Sequence, residues 1–283
     1  MLTALFASAQ DSGNDYLPDG VLTVEWRFNP FDYEDKPKNM AQVNARLFLN
    51  EKHVVRLGVG VGYHRDKDEN ITSKDTRNSD IKNYVAENSN KTTIDKETSL
   101  KIGLGYEYHF AYTGRLDMYA GVEAGYLGRF YSATQETKTN TTNVSTSGTT
   151  TQSTFTDFYN NLDYKKSNAS RTKFNENGFY GSVFLGADFY VYKKLYVGAE
   201  MGICFNMAKK ANGTYTSDKG QVKTVDGTQT ENWTEKYSSD TGATLRLDNI
   251  SKTYKTTYDT VVENSGNNIR VYIEPAIRIG WMF

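Results

Sequence analysis

Charged side chains recur at every second position in several short segments of this chain, and such a set could do three kinds of chemistry. Carboxylates close to basic side chains can transfer protons or line an ion path. They can also form buried ion pairs in which acid and base neutralise each other. The set has seven acids and seven bases. Its members are Glu25, Arg27, Arg46, Arg56, Lys101, Glu107, Asp117, Glu123, Arg129, Asp188, Glu200, Arg270, Glu274 and Arg278.

Two motifs that resemble known ligand-binding sequences fail on their spacing. The glycines at alternate positions from Gly58 to Gly62 do not have the spacing of a dinucleotide fingerprint, and no helical pattern follows them. The segment Asp66 to Asn70 begins like a calcium loop, but Ile71 stands where glycine belongs and Arg77 where the closing glutamate belongs. We expect a solvated charged loop there, with weak surface cation binding as the alternative, and we predict no metal site and no cofactor.

The histidines and the cysteine do not form a catalytic set in the sequence. His64 and His109 are predicted at opposite ends of their strands, and neither has a nearby serine or second histidine. The single cysteine, Cys204, excludes an internal disulfide framework and a cysteine-based zinc site. We expect its thiol to face a protein interior, and we predict no catalytic residue.

The overall composition excludes further classes of protein. The chain has 33 basic and 34 acidic residues, so it lacks the positive charge that nucleic-acid binding requires. No segment approaches the 18 or more apolar residues of a membrane-spanning helix. A membrane-spanning β-barrel needs no such run, because only every second residue faces lipid.

The elements that must position the charges are strands, because apolar and polar residues alternate. The segment from Ile269 to Phe283 shows the pattern at its longest, and it exceeds the roughly 9–11 residues that a tilted strand needs to cross a bilayer. Eight such segments are predicted, near residues 21–28, 41–49, 54–64, 99–110, 116–131, 179–191, 195–207 and 269–283.

The charges within these strands all fall on the face that carries the glycines, and none falls on the aliphatic face. A soluble barrel with an apolar cavity would show the reverse arrangement. An Arg or Lys facing lipid near the bilayer centre costs about 2–4 kcal/mol, so this pattern suits a barrel with apolar residues outside and charges inside. We therefore predict an all-β fold, an eight-stranded antiparallel up-and-down transmembrane β-barrel.

The connections between the predicted strands alternate between long and tight, as in outer-membrane barrels with long extracellular loops and short periplasmic turns. The predicted extracellular loops are residues 29–40, 65–98, 132–178 and 208–268. An even number of strands places both termini in the periplasm. Residues 1–9 have the features of a signal-peptide remnant, residues 10–20 form a polar lead, and the barrel occupies residues 21–283.

These features resemble the small outer-membrane barrels of the OmpX, OmpA and OmpW group, and most closely the "outer membrane protein beta-barrel" family of Bacteroidota. The resemblance covers the strands and the terminal Ile279, Trp281 and Phe283. It implies insertion by the barrel-assembly machinery, with these three residues in its signal, and contact with outer-membrane lipid and lipopolysaccharide. It does not imply one activity, because fold does not fix function.

Two regions are candidates for function. The lumen charges are interpreted as a structural plug, with a narrow conducting path and a catalytic set as alternatives, because eight strands leave room only for side chains.

The loop aromatics either pack the loops as β-extensions or form a surface for a protein or glycan partner; Trp233, Tyr237, Tyr254 and Tyr258 are the candidates for such a surface. We expect a non-enzymatic surface platform for interaction or adhesion, or a subunit of an envelope complex. A narrow channel or small-solute transporter is the alternative.

Overall fold

A computed structural model describes residues 21–29, 41–77, 83–192, 194–239, 243–248, 254–258 and 267–283. The predicted signal remnant, the polar lead and residues 30–40 of the first predicted loop lie outside these ranges. Within the described residues, no helix is long and apolar enough to cross a membrane.

The described chain is built from antiparallel strands. The strands are β1 Leu22–Phe28, β2 Ala41–Phe48, β3 His53–Arg77, β4 Tyr84–Thr113, β5 Leu116–Ser147, β6 Thr150–Lys165, β7 Glu176–Tyr192, β8 Leu195–Lys210, β9 Thr214–Val225, β10 Thr228–Ser238, β11 Ala243–Asp248, β12 Tyr254–Tyr258 and β13 Asn267–Met282. Eight of these described strands, β1 to β5, β7, β8 and β13, close a barrel in which strands that follow one another along the chain are paired, and the predicted eight-stranded antiparallel barrel is confirmed.

The barrel closes between its first and last strands. Trp26 of β1 lies opposite Ile279 of β13, and the ladder continues from Thr23↔Met282 to Phe28↔Ile277. Closure pairs the backbone groups that an open sheet edge would leave exposed, and these groups have no water to bind in hydrocarbon.

Exposure alternates along the barrel strands as the sequence pattern predicts. On β8 the odd-numbered residues face outward and the even-numbered residues face the lumen. The outward side chains are apolar and well exposed, for example Trp26 at 54 %, Leu104 at 62 % and Ile273 at 61 %. An apolar surface of this extent suits contact with lipid rather than water.

The strands extend well beyond their predicted ends on the side of the long connections. β3 and β4 stay paired from His64↔Glu97 to Arg77↔Tyr84, and β5 continues to Ser147. Most of residues 65–98 and 132–178, predicted as loops, is therefore strand. Both faces of these segments are polar. Alternation of apolar and polar residues therefore could not identify them as strands.

A second sheet branches from β5. The lower half of β5 pairs with β7 as far as Arg129↔Glu176, and its upper half pairs with β6 from Ser132↔Lys165 upward. Beyond β6 the order continues through β9, β10, β11 and β12. The loop aromatics thus lie in β-extensions, which is one of the two arrangements that the sequence left open.

Apolar side chains close the barrel at the end with the tight turns. Phe48, Val54, Tyr190, Tyr196 and Met282 form one buried cluster there. They occupy the lumen-facing positions nearest the turns, so the end of the barrel is filled by hydrophobic packing below the charged layers.

Glycines facing the lumen make room for large side chains on neighbouring strands. Tyr196 of β8 is completely buried, and its ring lies directly over Gly280 of β13, where a methyl group would overlap it. Tyr119 covers Gly186 in the same way across β5 and β7.

The Gly280→Ala variant is expected to destabilise the barrel by about 1–3 kcal/mol, because an added methyl group overpacks a filled interior. Urea-induced unfolding of the refolded barrel in detergent micelles measures the change. Gly181→Ala is the matched control, since a Cβ there meets only the Glu123 carbonyl oxygen at 3.8 Å. Equal losses in the two variants would contradict the close contact with Tyr196.

Candidate functional site

The lumen holds the charged residues because each occupies an inward position of its strand. Glu25 of β1 lies opposite Asn44 of β2 and Gly280 of β13, and Arg46 of β2 lies directly opposite Arg56 of β3. Two like charges opposite each other on paired strands are normally destabilising. Each of these arginines must therefore be neutralised by acids from elsewhere in the barrel.

Arg46 is completely buried and contacts acids from three other strands. Its guanidinium donates to the Asp188 carboxylate at 2.8 Å and makes a shorter contact with Glu107. Glu25 lies 3.6 Å away, and the Tyr196 hydroxyl accepts a hydrogen bond at 3.2 Å. β1, β2, β4, β7 and β8 are thus tied together across the lumen.

Two further arginines are neutralised in the same layers. Arg56 donates to Glu123 at 2.6 Å and to Glu200 at 2.7 Å, and Arg278 donates to Glu25 at 3.2 Å. Arg278 also makes a short ion pair with Asp188 and lies 3.5 Å from Glu200. Glu25, Asp188 and Glu200 are therefore each shared between at least two guanidinium groups.

Aromatic rings cover the faces of these guanidinium groups. The Arg56 guanidinium lies 4.1 Å from the centre of the Phe184 ring, and that of Arg278 lies 4.7 Å from the centre of the Tyr119 ring. A planar guanidinium presents its edges to carboxylates and its faces to rings. The centre of the lumen is consequently filled.

A more open layer lies above the three buried arginines. Arg27 contacts Glu200 at 3.2 Å and Glu274 at 3.6 Å, while Lys101 lies 3.7 Å from Glu123 and 3.8 Å from Glu274. Glu274 is more exposed than the acids below it, with 18 % of its side chain accessible. The Cys204 thiol donates to Glu274 at 3.1 Å, so it faces the lumen.

The uppermost charges lie at the rim. Arg129 and Arg270 each approach Glu176 at 3.7 Å, and the Arg270 side chain is 41 % exposed. The structure thus gathers most of the sequence-derived charge set into one buried network and leaves Arg270 at its open edge. Glu176 was not in that set because it precedes the predicted start of its strand.

His109 belongs to the network although the sequence offered it no partner. Its Nδ1 lies 2.7 Å from an Asp117 carboxylate oxygen, its Nε2 lies 3.4 Å from Glu107, and its ring stacks on Tyr119 with centres 5.2 Å apart. His109 and Asp117 lie on either side of one tight turn, and this position in the sequence could have identified them as a pair. Tyr180 was also missed; its hydroxyl donates to Glu123 at 2.5 Å.

This arrangement suits a structural role better than a chemical one. Buried charges are costly unless they are paired and hydrogen-bonded, and these carboxylates are occupied by guanidinium groups. Within the described ranges, no group of three or more His, Cys, Asp or Glu residues is arranged to hold a metal ion.

The residues assigned to the assembly signal lie on the outer surface at the end of the barrel. Ile279 and Trp281 face outward from β13 opposite Trp26 and Val24, and Phe283 follows directly, 66 % exposed. Their side chains continue the apolar outer face.

The aromatic residues proposed for surface binding lie in the second sheet. Trp233 and Tyr237 occupy the same face of β10; Trp233 approaches Phe158, with ring centres 6.5 Å apart, and Tyr237 approaches Tyr215 at 5.3 Å. The backbones of Tyr254 and Tyr258 belong to β12, and their side chains lie outside the described part of the structure.

Comparison with known protein families finds a match for this chain. A family model described as "Putative OmpA-OmpF-like porin family" matches residues 27–211, which include β2 to β8 and most of the lumen charges. A search of curated proteins finds no match.

The Arg46→Gln variant is expected to lose about 3–5 kcal/mol of folding free energy, because it leaves buried carboxylates without their cation. Urea titration of the refolded barrel in micelles, followed by tryptophan fluorescence, measures the loss. Arg270→Gln at the exposed rim is the control and is expected to cost at most about 1 kcal/mol. A loss at Arg46 no greater than that at Arg270 would show that the network contributes little to stability.

Proposed function

Since this chain belongs to the OmpA-OmpF-like porin family of outer-membrane β-barrels, we propose that its barrel is a sealed membrane anchor for a surface interaction platform. In this proposal the barrel spans the outer membrane, both termini face the periplasm, and the extended strands stand on the extracellular side. The barrel performs no catalysis. The platform binds a protein or a glycan, as an adhesin or as a subunit of an envelope complex.

The observation that carries the sealed-anchor proposal is the filled lumen. Arg46, Arg56 and Arg278 are at most 1 % exposed, and their carboxylate partners come from β1, β4, β5, β7 and β8. An ion crossing the barrel would have to displace these pairs, and the free energy of leaving a buried charge unpaired opposes that step. The apolar cluster at the tight-turn end adds a second barrier.

The size of the sheet above the barrel supports the platform role. β3, β4 and β5 continue past the barrel, and in the described part of the chain five further strands extend the sheet from β5. A membrane anchor needs no such structure, whereas binding residues are commonly carried on segments that a rigid scaffold positions.

A narrow channel is the second candidate, and membership of a porin family favours it. A channel requires the lumen network to rearrange into a continuous path. Conductance measurement separates this candidate from the platform.

We expect the purified full-length protein to show no stable unitary openings in planar bilayers, because the ion pairs and the apolar cluster fill the lumen. A second protein, in which residues 214–266 are replaced by a short turn, is expected to be equally silent. Stable openings in the full-length protein would favour the channel. Openings only in the shortened protein would show that the outer sheet, rather than the lumen network, blocks a path.

Excision of residues 214–266 is also expected to leave the barrel folded, because β8 and β13 pair with each other independently of this segment. Cross-linking on intact cells followed by purification should then lose any partner that the full-length protein captures. Excision of residues 66–95 from the β3–β4 hairpin is the comparison. Retention of every partner in both shortened proteins would contradict the platform.

A further inference from the structure

We propose that a pocket on the second sheet, defined by Tyr164, Tyr215, Tyr237, Leu162, Ser217 and Arg171, is a carbohydrate-binding site. This inference rests on the proposed function and names the class of partner that the platform would take. The pocket has a volume of about 470 Å³, within the roughly 300–1,000 Å³ of typical small-molecule sites.

The strand register places the lining residues on one face. Leu162 and Tyr164 of β6 lie opposite Ser217 and Tyr215 of β9, and Ser217 lies opposite Tyr237 of β10. The same face continues across β5, where Tyr164 pairs with Ala133. Ala133 follows Arg129 and Tyr131 on the lumen-facing side of β5, so the pocket lies above the barrel mouth.

Three tyrosine rings lie next to one another in the pocket, tilted by 31° and 44° between neighbours. The Tyr164 and Tyr215 ring centres are 5.8 Å apart, and those of Tyr215 and Tyr237 are 5.3 Å apart. The apolar face of a sugar ring packs on such rings, while tyrosine hydroxyls remain able to form hydrogen bonds. Burial, followed by the neighbouring Tyr215, raises the pKa of Tyr164, so its hydroxyl stays neutral.

The rest of the lining offers both hydrogen-bond donors and hydrogen-bond acceptors. Ser217 donates to the Asn160 side-chain oxygen at 3.3 Å, and Lys219 pairs with Glu235 at 2.9 Å. A polyhydroxylated ligand needs both kinds of group close together. Because the Lys219–Glu235 pair is internally neutral, it does not select a ligand by charge.

The connection between β6 and β7 holds Arg171 over the Tyr215 ring. The guanidinium lies 5.2 Å from the centre of the Tyr215 ring. The turn that carries it is fixed by the Asn168 side chain, which accepts from the Thr172 and Lys173 amides at 2.9 Å each, and by the Ala169 amide, which donates to Asp95 at 2.8 Å. The turn that carries Arg171 is therefore held in place before a ligand binds, which lowers the entropic cost of binding.

The sheet geometry disfavours a peptide as the occupant. Peptides that add to a sheet need an unpaired strand edge. Both edges of β6, β9 and β10 are already paired, with β5 and β11 as the outer neighbours. A ligand in this pocket is therefore recognised by side chains on one face of β6, β9 and β10.

The test uses full-length protein in detergent applied to immobilised cello-, malto-, manno- and N-acetylglucosamine oligosaccharides, with a mixed acidic and neutral peptide pool as a competing class. We expect retention on at least one oligosaccharide series. Titration of the free oligosaccharide should show Tyr215→Ala and Tyr237→Ala binding about tenfold more weakly. Ser217→Phe, which fills the pocket and keeps the tyrosines, should abolish binding.

Tyr159→Ala is the matched control, since Tyr159 lies on the opposite face of β6 and covers Gly220. Heat-modifiable migration in gels establishes that each variant is folded. Retention of peptides alone, retention of nothing, or an equal loss in Tyr159→Ala would overturn the proposal. If no oligosaccharide binds but excision of residues 214–266 still removes a cross-linked partner, the carbohydrate site fails and the platform stands.

Discussion

The structure depends on the neutralisation of charges inside a closed barrel. Because arginines occupy inward positions of several strands, they must find carboxylates, or closing the barrel would leave buried charge. Arg46 and Arg56, opposite each other on β2 and β3, make the constraint severe. Its solution is the sharing of Glu107, Asp188 and Glu200 among guanidinium groups from different strands.

This constraint accounts for other features of the barrel. The network needs long side chains that reach across the lumen, so the positions they cross must be small. Gly103, Gly186 and Gly280 lie under the rings of Tyr180, Tyr119 and Tyr196, and two of these tyrosine hydroxyls donate in turn to Glu123 and Glu25. A slip of one residue in any strand would send charges to the apolar outer surface, so the network also fixes register.

The barrel could be predicted from the sequence because each strand carries its own alternating pattern, and the inward charges could be identified from that pattern alone. The pairing of each acid with its arginine could not be predicted, because Arg46 and Asp188 are 142 residues apart in the chain and their contact depends on several strand registers. His109 was missed because its partner lies across a turn. The bounds and pairing of the upper strands could not be predicted, because Thr- and Asn-rich segments such as residues 132–147 pair through their backbones while both faces stay polar. The fork at β5, and the pocket that it creates, depend on pairing between segments that no local pattern connects.

The continuity of β5 has a mechanical consequence. One strand of 32 residues belongs to the barrel wall along its lower half and to the outer sheet along its upper half, without an intervening linker. At about 3.3 Å per residue, the segment from Arg129 to Ser147 is about 60 Å long. A force applied to the outer sheet is therefore carried as shear by the backbone hydrogen bonds of the barrel wall, because no flexible linker separates the two parts of β5 and could extend instead.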